Sequence, residues 1–428
     1  MRRTSTGVLG VAALALLGQV CLGASITDYC VFAGTQVNFG DNITVNGLVG
    51  GNDRLGVGGG TTSTLGFEGG GYFNSGNNVS TPLDVVANGD VDLGGGGGFR
   101  NVYSGGYVRT GNNVTITGEI IATDWVQLGG GVVVQGDITA GNPAPSGRAL
   151  DTGNNCDMQA NVKADGDVDM GGGTVIQGNL QLSGSVLGSG SVTGTTTVVP
   201  TFNVTPPAFT SVAIPGASPV TPSTLPADDV TTSTTAGSPL APGAYRNVNL
   251  PNNQSLHLVG GTYEFHNFVT GGGLDLFLDL TGGPITVLVE NNLNIGNSMV
   301  VWVWDAVGGA YVDYATFLAD PTLRAMAADV FFEAQNAFAV GGSAQWIGTA
   351  FGPAANVSFG NNAQITGAVY SGTTVGMGGG SVLNCEAPNR FGASGSPPGA
   401  VPEPATVVLL GAAGALALWR RRRRQAAA

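Results

Sequence analysis

VNFGDNITVNG, residues 37–47, decides the fold, because its skeleton returns further down the chain. The skeleton is Val, any residue, an apolar residue, Gly, four residues, Val or Ile, any residue, Gly. Its other copies are VRTGNNVTITG from 108, VQLGGGVVVQG from 126, VDMGGGTVIQG from 168 and VSFGNNAQITG from 357. A sixth, VGMGGGSVLNC from 375, ends on Cys385 where the others have Gly. Two neighbouring pairs, 108 with 126 and 357 with 375, start 18 residues apart, and a period of that size indicates stacked units rather than one globular core.

Numbered from zero at its first Val, the template keeps positions 0, 2, 6, 8 and 12 apolar or small in most copies; position 12 reads Val49, Ile120, Ile138, Leu180 and Val369. Alternation within each pair is the period of a strand, whose successive side chains point to opposite faces. The step of six between pairs turns the chain three times per repeat. The pattern therefore predicts an all-β triangular β-helix of about 18 residues per coil, each coil stacked about 4.8 Å above the last. Gly at positions 3 and 10 falls near corners, where a positive φ or close backbone approach excludes a Cβ.

Composition supports a long buried core: 428 residues, 73 of them Gly, with 42% hydrophobic and only 10% charged residues. Glycine without a strict three-residue period excludes collagen. The best helix signal is ADPTLRAMAADVFFEAQ, which predicts one short flanking helix near 320–335, with Asp320 as N-cap, Pro321 at the first helical position and Leu323, Met326, Ala327 and Val330 along one stripe.

The termini carry addresses. Arg2 and Arg3, an apolar run from Val8 to Leu17 and small residues to Ala24 form the layout of a secretory signal peptide over 1–24. At the other end, Pro402, Glu403 and Pro404 precede an apolar run from Ala405 to Trp419, followed by Arg420, Arg421, Arg422, Arg423 and Arg424. As a helix the run spans about 22 Å, and Trp419 with snorkelling arginines extends its reach into a membrane. Between them the expected organisation is a first solenoid segment over 25–199, a Pro/Thr/Ser-rich linker or strap over 200–242, a second solenoid segment over 243–386, a linker over 387–401 and the sorting or anchor segment over 402–428. The strap invites the two segments to stack into one.

The tail resembles the PEP-CTERM sorting signal of Gram-negative bacteria, with the Pro-Glu-Pro triplet, the short apolar helix and the Arg cluster in order. The resemblance implies an exosortase, a membrane enzyme, as partner, membrane association through the C-terminal helix before processing, and export to the outer surface or an exopolysaccharide matrix. The body is similar to bactofilin-like polymer-forming β-helices and to the ice-binding adhesin fold, a β-solenoid flanked by a helix. Ice binding needs a flat outward Thr ladder. Outward position 7 instead reads Thr44, Thr115, Val133, Val175 and Gln364, so the fold is expected and the activity is not.

Export changes the charge balance. Removing Arg2, Arg3 and Arg420 to Arg424 leaves 8 of 15 basic residues against 28 acids, so the exported body is more acidic than the chain's net −13. Nucleic acid is excluded as a partner, whereas cations and neutral or basic polysaccharide fit. Loss of Cys21 leaves Cys30, Cys156 and Cys385 as disulfide candidates, an odd number with three possible pairings. No Cys pair has zinc-ligand spacing.

Chemistry-bearing residues are sparse. Glu264 and His266 share a strand face if TYEFHNF is a strand, yet no third ligand or nucleophile accompanies them. The acid pairs Asp90 with Asp92 and Asp167 with Asp169 could bind Ca²⁺ or act on sugar, but Asp at a Gly-rich corner is ordinary turn chemistry. No catalytic residue, metal site or cofactor is expected. The sequence describes a non-catalytic exported surface or matrix protein able to self-associate, with a β-helix carbohydrate-active enzyme or an ice- or carbohydrate-binding adhesin as the alternative readings.

Overall fold

The computed structural model describes residues 25–141 and 147–386. They form a triangular parallel β-solenoid. One face is a sheet of 16 strands, the second a sheet of 15, and the third is divided into sheets of six, five and four strands. At the strand spacing of a parallel ladder the 16 coils make a rod ~70 Å long. Positions 0, 2, 6, 8 and 12 point inward: in the first copy Val37, Phe39, Ile43, Val45 and Val49 are all buried. Each fully buried aliphatic side chain contributes about 1.5–3 kcal/mol, and stacking like residues coil over coil keeps the core continuous.

The coils do not stack in chain order. Strand Val31–Ala33 pairs on one side with Val49–Gly51 and on the other with Val369–Ser371, near the far end of the described chain. The first half runs outward from this central seam and ends at strand Thr196–Val198; the second half begins at the opposite tip with Gly243–Ala244 and runs back to the seam. Residues 200–229 must therefore travel the length of the rod, and they do so along the 16-stranded face. The strap passes Lys163, whose ammonium lies 4.1 Å from the Phe202 ring centroid. It then exchanges hydrogen bonds with Asn88 through Phe209 and with Asn52 through Val212. Beyond the seam, Ser218 donates its N–H and its hydroxyl to Glu333, each at 2.7 Å, and the Thr221 N–H donates to Glu264. Phe209 and Val212 pack on Phe32, Phe331, Phe351 and Tyr370, a small second core outside the sheet.

Corner chemistry differs from the sequence expectation in one respect. The conserved-looking Gly at position 3 is needed for close approach: a Cβ on Gly129 would lie 2.4 Å from the Gly111 carbonyl oxygen. The positive φ falls two residues later, at position 5, where Asn42 and Asn113 (φ 58°) alternate with Gly131 (φ 69°) and Gly173 (φ 73°). Asn tolerates this left-handed region better than other side chains. Successive coils alternate an Asn pair with a Gly pair, because the side chain at position 4 of one coil accepts a backbone N–H from the next: Gly95 donates to Asn77, Gly130 to Asn112 and Gly172 to Asn154. The alternation keeps phase across the seam, where Gly379 and Gly380 lie against Asp41 and Asn42.

The flanking helix is shorter than expected and is broken. Helix α1 (Tyr314–Ala319) is capped by Asp313, α2 (Pro321–Ala325) by Asp320, and a 3-10 turn (Met326–Asp329) ends the excursion. The expected continuation to 335 is wrong: Val330–Ala334 is a fully buried strand, because its β-branched and aromatic run completes a coil between 285–289 and 349–352. The helices lie on the side of the third face, with the Tyr314 hydroxyl 2.8 Å from that of Thr366 and Arg324 paired to Glu386 at 2.7 Å. Among the described residues no helix is long and apolar enough to cross a membrane; the expected signal and C-terminal helices lie outside them.

The two tips differ. Residues 228–242 add a partial rung at the tip of the second half, with Val230 bridging Val248 and Leu240 bridging Leu258, while the end strand Gly243–Ala244 is exposed. At the other tip, strands Val186–Gly188, Ser191–Val192 and Thr196–Val198 are the last members of their sheets and are largely exposed.

Candidate carbohydrate-binding face

The outward side of the 15-stranded sheet carries one organised cluster of polar and aromatic side chains. Its outward column reads Asn74, Asp92, Arg109, Gln127, Asp151 and Asp169 on successive coils. Asp92 accepts hydrogen bonds from the Tyr72 and Tyr107 hydroxyls and pairs with Arg109 at 2.6 Å. Burial and the Asp92 carboxylate raise both phenols above their ordinary range, so they remain donors. Tyr107 in turn supports Trp125, the rings stacked at 4.5 Å and 10°.

The next coil is where the ladder is irregular. Strand Arg148–Thr152 pairs with Asp167–Met170 through a register shift between Arg148 and Leu150, which inserts buried Ala149 and turns Arg148 outward. A depression of about 330 Å³ opens there, lined by Trp125, Val126, Gln127, Arg148 and Asp151. The half-buried Trp125 indole is stacked on Tyr107 and is one of the side chains that line this depression. Arg148 is held by Asp169 at 3.0 Å and Asp151 at 3.6 Å, which fixes its guanidinium and neutralises it. An aromatic ring lining a depression beside fixed, charge-balanced donors and acceptors can pack on the C–H face of a sugar ring while they bind its hydroxyls.

The aromatic row on the third face is built differently. His257, Phe277 and Trp302 stack on one another, at 4.0 Å and 5.8 Å, and Tyr311 packs edge-on against His257 and Phe277. Those rings spend their faces on each other. Burial keeps the His257 pKa below its ordinary value, as expected for a neutral ring in a stack.

The residues singled out in the sequence are dispersed. Glu264 is tied to the strap, while His266 contacts Glu290 at 2.7 Å and Asn291 at 3.1 Å, so the two form no joint site. Asp90 accepts the Tyr107 N–H, Asp167 the Ser185 N–H, and Asp92 and Asp169 are ion-paired. Among the described residues no group of three His, Cys, Asp or Glu is placed to hold a metal. The outward column of the third face reads Thr115, Val133, Asp157, Val175 and Ser191, without a Thr ladder. Cys30 and Cys385 meet at the seam, and Cys156 donates its thiol to the Gly129 carbonyl at 2.9 Å in the first half. Pro402 to Pro404 and Trp419 to Arg424 lie outside the described residues.

These features define a triangular β-solenoid with one polar and aromatic face. Residues 400–424 match the PEP-CTERM protein-sorting motif, which implies an exosortase-sorted protein of the cell surface. Residues 228–386 match a domain of unknown function, DUF7305. No curated protein matches the chain. Among solved structures, an ice binding protein from an Antarctic bacterium, Flavobacteriaceae, aligns at 13% identity over 85% of this chain and 97% of that one. Its TM-score of 0.22 is too low to carry an argument about this chain.

Proposed function

We propose that the protein is a non-catalytic surface or exopolysaccharide-matrix component that holds a neutral polysaccharide on its 15-stranded face. The observation that supports this most directly is the depression at the register shift, where Trp125 lies with Arg148, Gln127 and Asp151. Arg109 and Arg148, the arginines nearest Trp125, are matched by aspartates, so a neutral chain is favoured over an acidic one there. The aspartates accept bonds from tyrosine, arginine or backbone donors instead of converging on an open cleft, which favours binding over hydrolysis. In affinity electrophoresis through the producing strain's own neutral exopolysaccharide, Trp125→Ala is expected to weaken retention about 10-fold, the loss of one stacking contact. Trp304→Ala on the third face should retain normal mobility. Equal retardation of the Trp125→Ala and native proteins would remove the carbohydrate reading.

Self-association belongs to the same reading and rests on the exposed tip. The last coil offers three unpaired strand edges with Val198 71%, Val186 43% and Leu187 38% exposed. No charged residue occurs between Asp169 and Asp228, in a chain of net charge −13. A second copy can therefore approach tip to tip without like-charge repulsion. Light scattering should give the dimer mass for the native body and the monomer mass for Val198→Lys; a monomeric native protein would sink the proposal.

A further inference from the structure

The start of the first coil and the end of the last lie side by side. Cys30 directly precedes strand Val31–Ala33 and is fully buried; Cys385 closes strand Val382–Cys385, which pairs with Thr44–Asn46 across the seam. A Cβ on Gly47 would lie 2.7 Å from the Cys30 Cβ and 3.0 Å from the Cys385 Cβ. The two cysteine Cβ atoms are therefore no more than about 5.7 Å apart, close to the ~3.5–4.5 Å that a disulfide spans. The Cys30 thiol donates to the carbonyl of Gly367, the ladder partner of Cys385, at 3.9 Å. Cys385 is the residue that breaks the repeat, standing at position 10 where the other copies have Gly, and it does so in the coil that meets Cys30.

We propose that Cys30 and Cys385 form a disulfide in the exported protein, locking the last coil of the second half onto the first coil of the first half. In this step the two Sγ–H bonds are lost and one Sγ–Sγ bond forms. The two protons go to solvent, and the two electrons reduce the disulfide of an exported thiol oxidant to its dithiol through a mixed disulfide. Burial raises the Cys30 pKa well above its ordinary value, so the closed seam shields a thiol that reacts poorly; oxidation belongs to folding, before the seam shuts. Cys156 cannot compete in the folded rod. Its coil is seven ladder steps from that of Cys385, roughly 34 Å along the axis.

The bond has a mechanical role if the sorting reading is right, because Cys385 ends the last described strand and the sorting segment follows it in the chain. A pull on that segment would peel strand Val382–Cys385 from the seam first, and the disulfide transfers the load to Cys30. The bond itself does not depend on that reading.

Trypsin separates the three cysteines, since cleavage at Arg54, Arg148, Lys163, Arg324 and Arg390 leaves each on its own peptide. Full-length protein taken from an oxidising compartment, alkylated while denatured and digested without reductant, should give the 30-containing and 385-containing peptides as one species two hydrogens lighter than their sum. Cys156 should be alkylated. Reductant should lower the melting temperature of the native protein and leave that of Cys385→Ala unchanged, and the double Cys30→Ala, Cys385→Ala variant should melt with Cys385→Ala alone. Three alkylated cysteines, a cross-link to Cys156, or additive losses in the double variant would each overturn the proposal. If the alanine variants fail to fold, the peptide map of the native protein decides alone.

Discussion

Gly129→Ala is expected to destabilise the rod by about 3 kcal/mol or more, while Gly98→Ala leaves it unchanged or slightly more stable. The contrast follows from what each new methyl would meet. On Gly129 it would sit 2.4 Å from the Gly111 oxygen and 2.5 Å from its carbonyl carbon, both backbone atoms that no rotamer change can move. The coils would have to part locally, and the Gly153-to-Leu128 and Gly111-to-Leu93 hydrogen bonds that register this corner would stretch. On Gly98 a Cβ has nothing within 4 Å, its φ is negative, and a strand residue gains from the reduced freedom of the unfolded chain. Because a solenoid's stability is a sum over neighbouring coils, the damage should be local. Hydrogen exchange should show protection lost around 108–153 and kept in the second half. Uniform loss, or equal behaviour of the two variants, would show that position 3 is not the contact that sets the coil spacing.

Deleting residues 402–428 is expected to convert an envelope-retained protein into one released wholly to the medium, with the rod intact. Every described coil is complete by Glu386, and the described core and strap are built from residues up to it. Sorting information and fold are thus carried by separate stretches, the first matching the motif at 400–424. Fractionation of cells making the full and shortened chains, with circular dichroism of both bodies, measures the two halves of the statement. Continued retention of the shortened chain would place the anchor in the rod, and loss of structure would make the tail part of the fold.

The coil was legible because its signal is redundant: Val37, Val108, Val126 and Val168 each announce an inward position, and a miss in one copy is corrected by the next. Less was legible where substitutions blurred the template. The coil from Leu150 to Val162 was not recognised, since Leu150 replaces Val and Ala160 replaces Gly, and it begins 24 residues after Val126 instead of 18. That longer coil produces the register shift beside Trp125, so the binding face went unread with it. Its trace in the sequence is the extra six residues combined with Tyr107 and Trp125 at equivalent places. The Asn-pair and Gly-pair alternation was also present in GDN, GNN and GGG, and its reason, a side chain that needs a glycine above it, becomes visible only when coils are stacked. The helix was over-extended because Val330 fits a helical stripe as well as a strand; pairing partners decided between them.

By itself the sequence determined the coil: hexad-spaced aliphatic pairs and glycine corners leave little choice about how any 18 residues fold. The tertiary structure decided which coil lies against which. A parallel ladder is made of backbone N–H and C=O groups that are alike in every coil, so its edges accept a neighbour from anywhere in the chain. Only packing, the long strap and the phase of the corner ladder place the second half ahead of the first, and with that order bring Cys30 against Cys385.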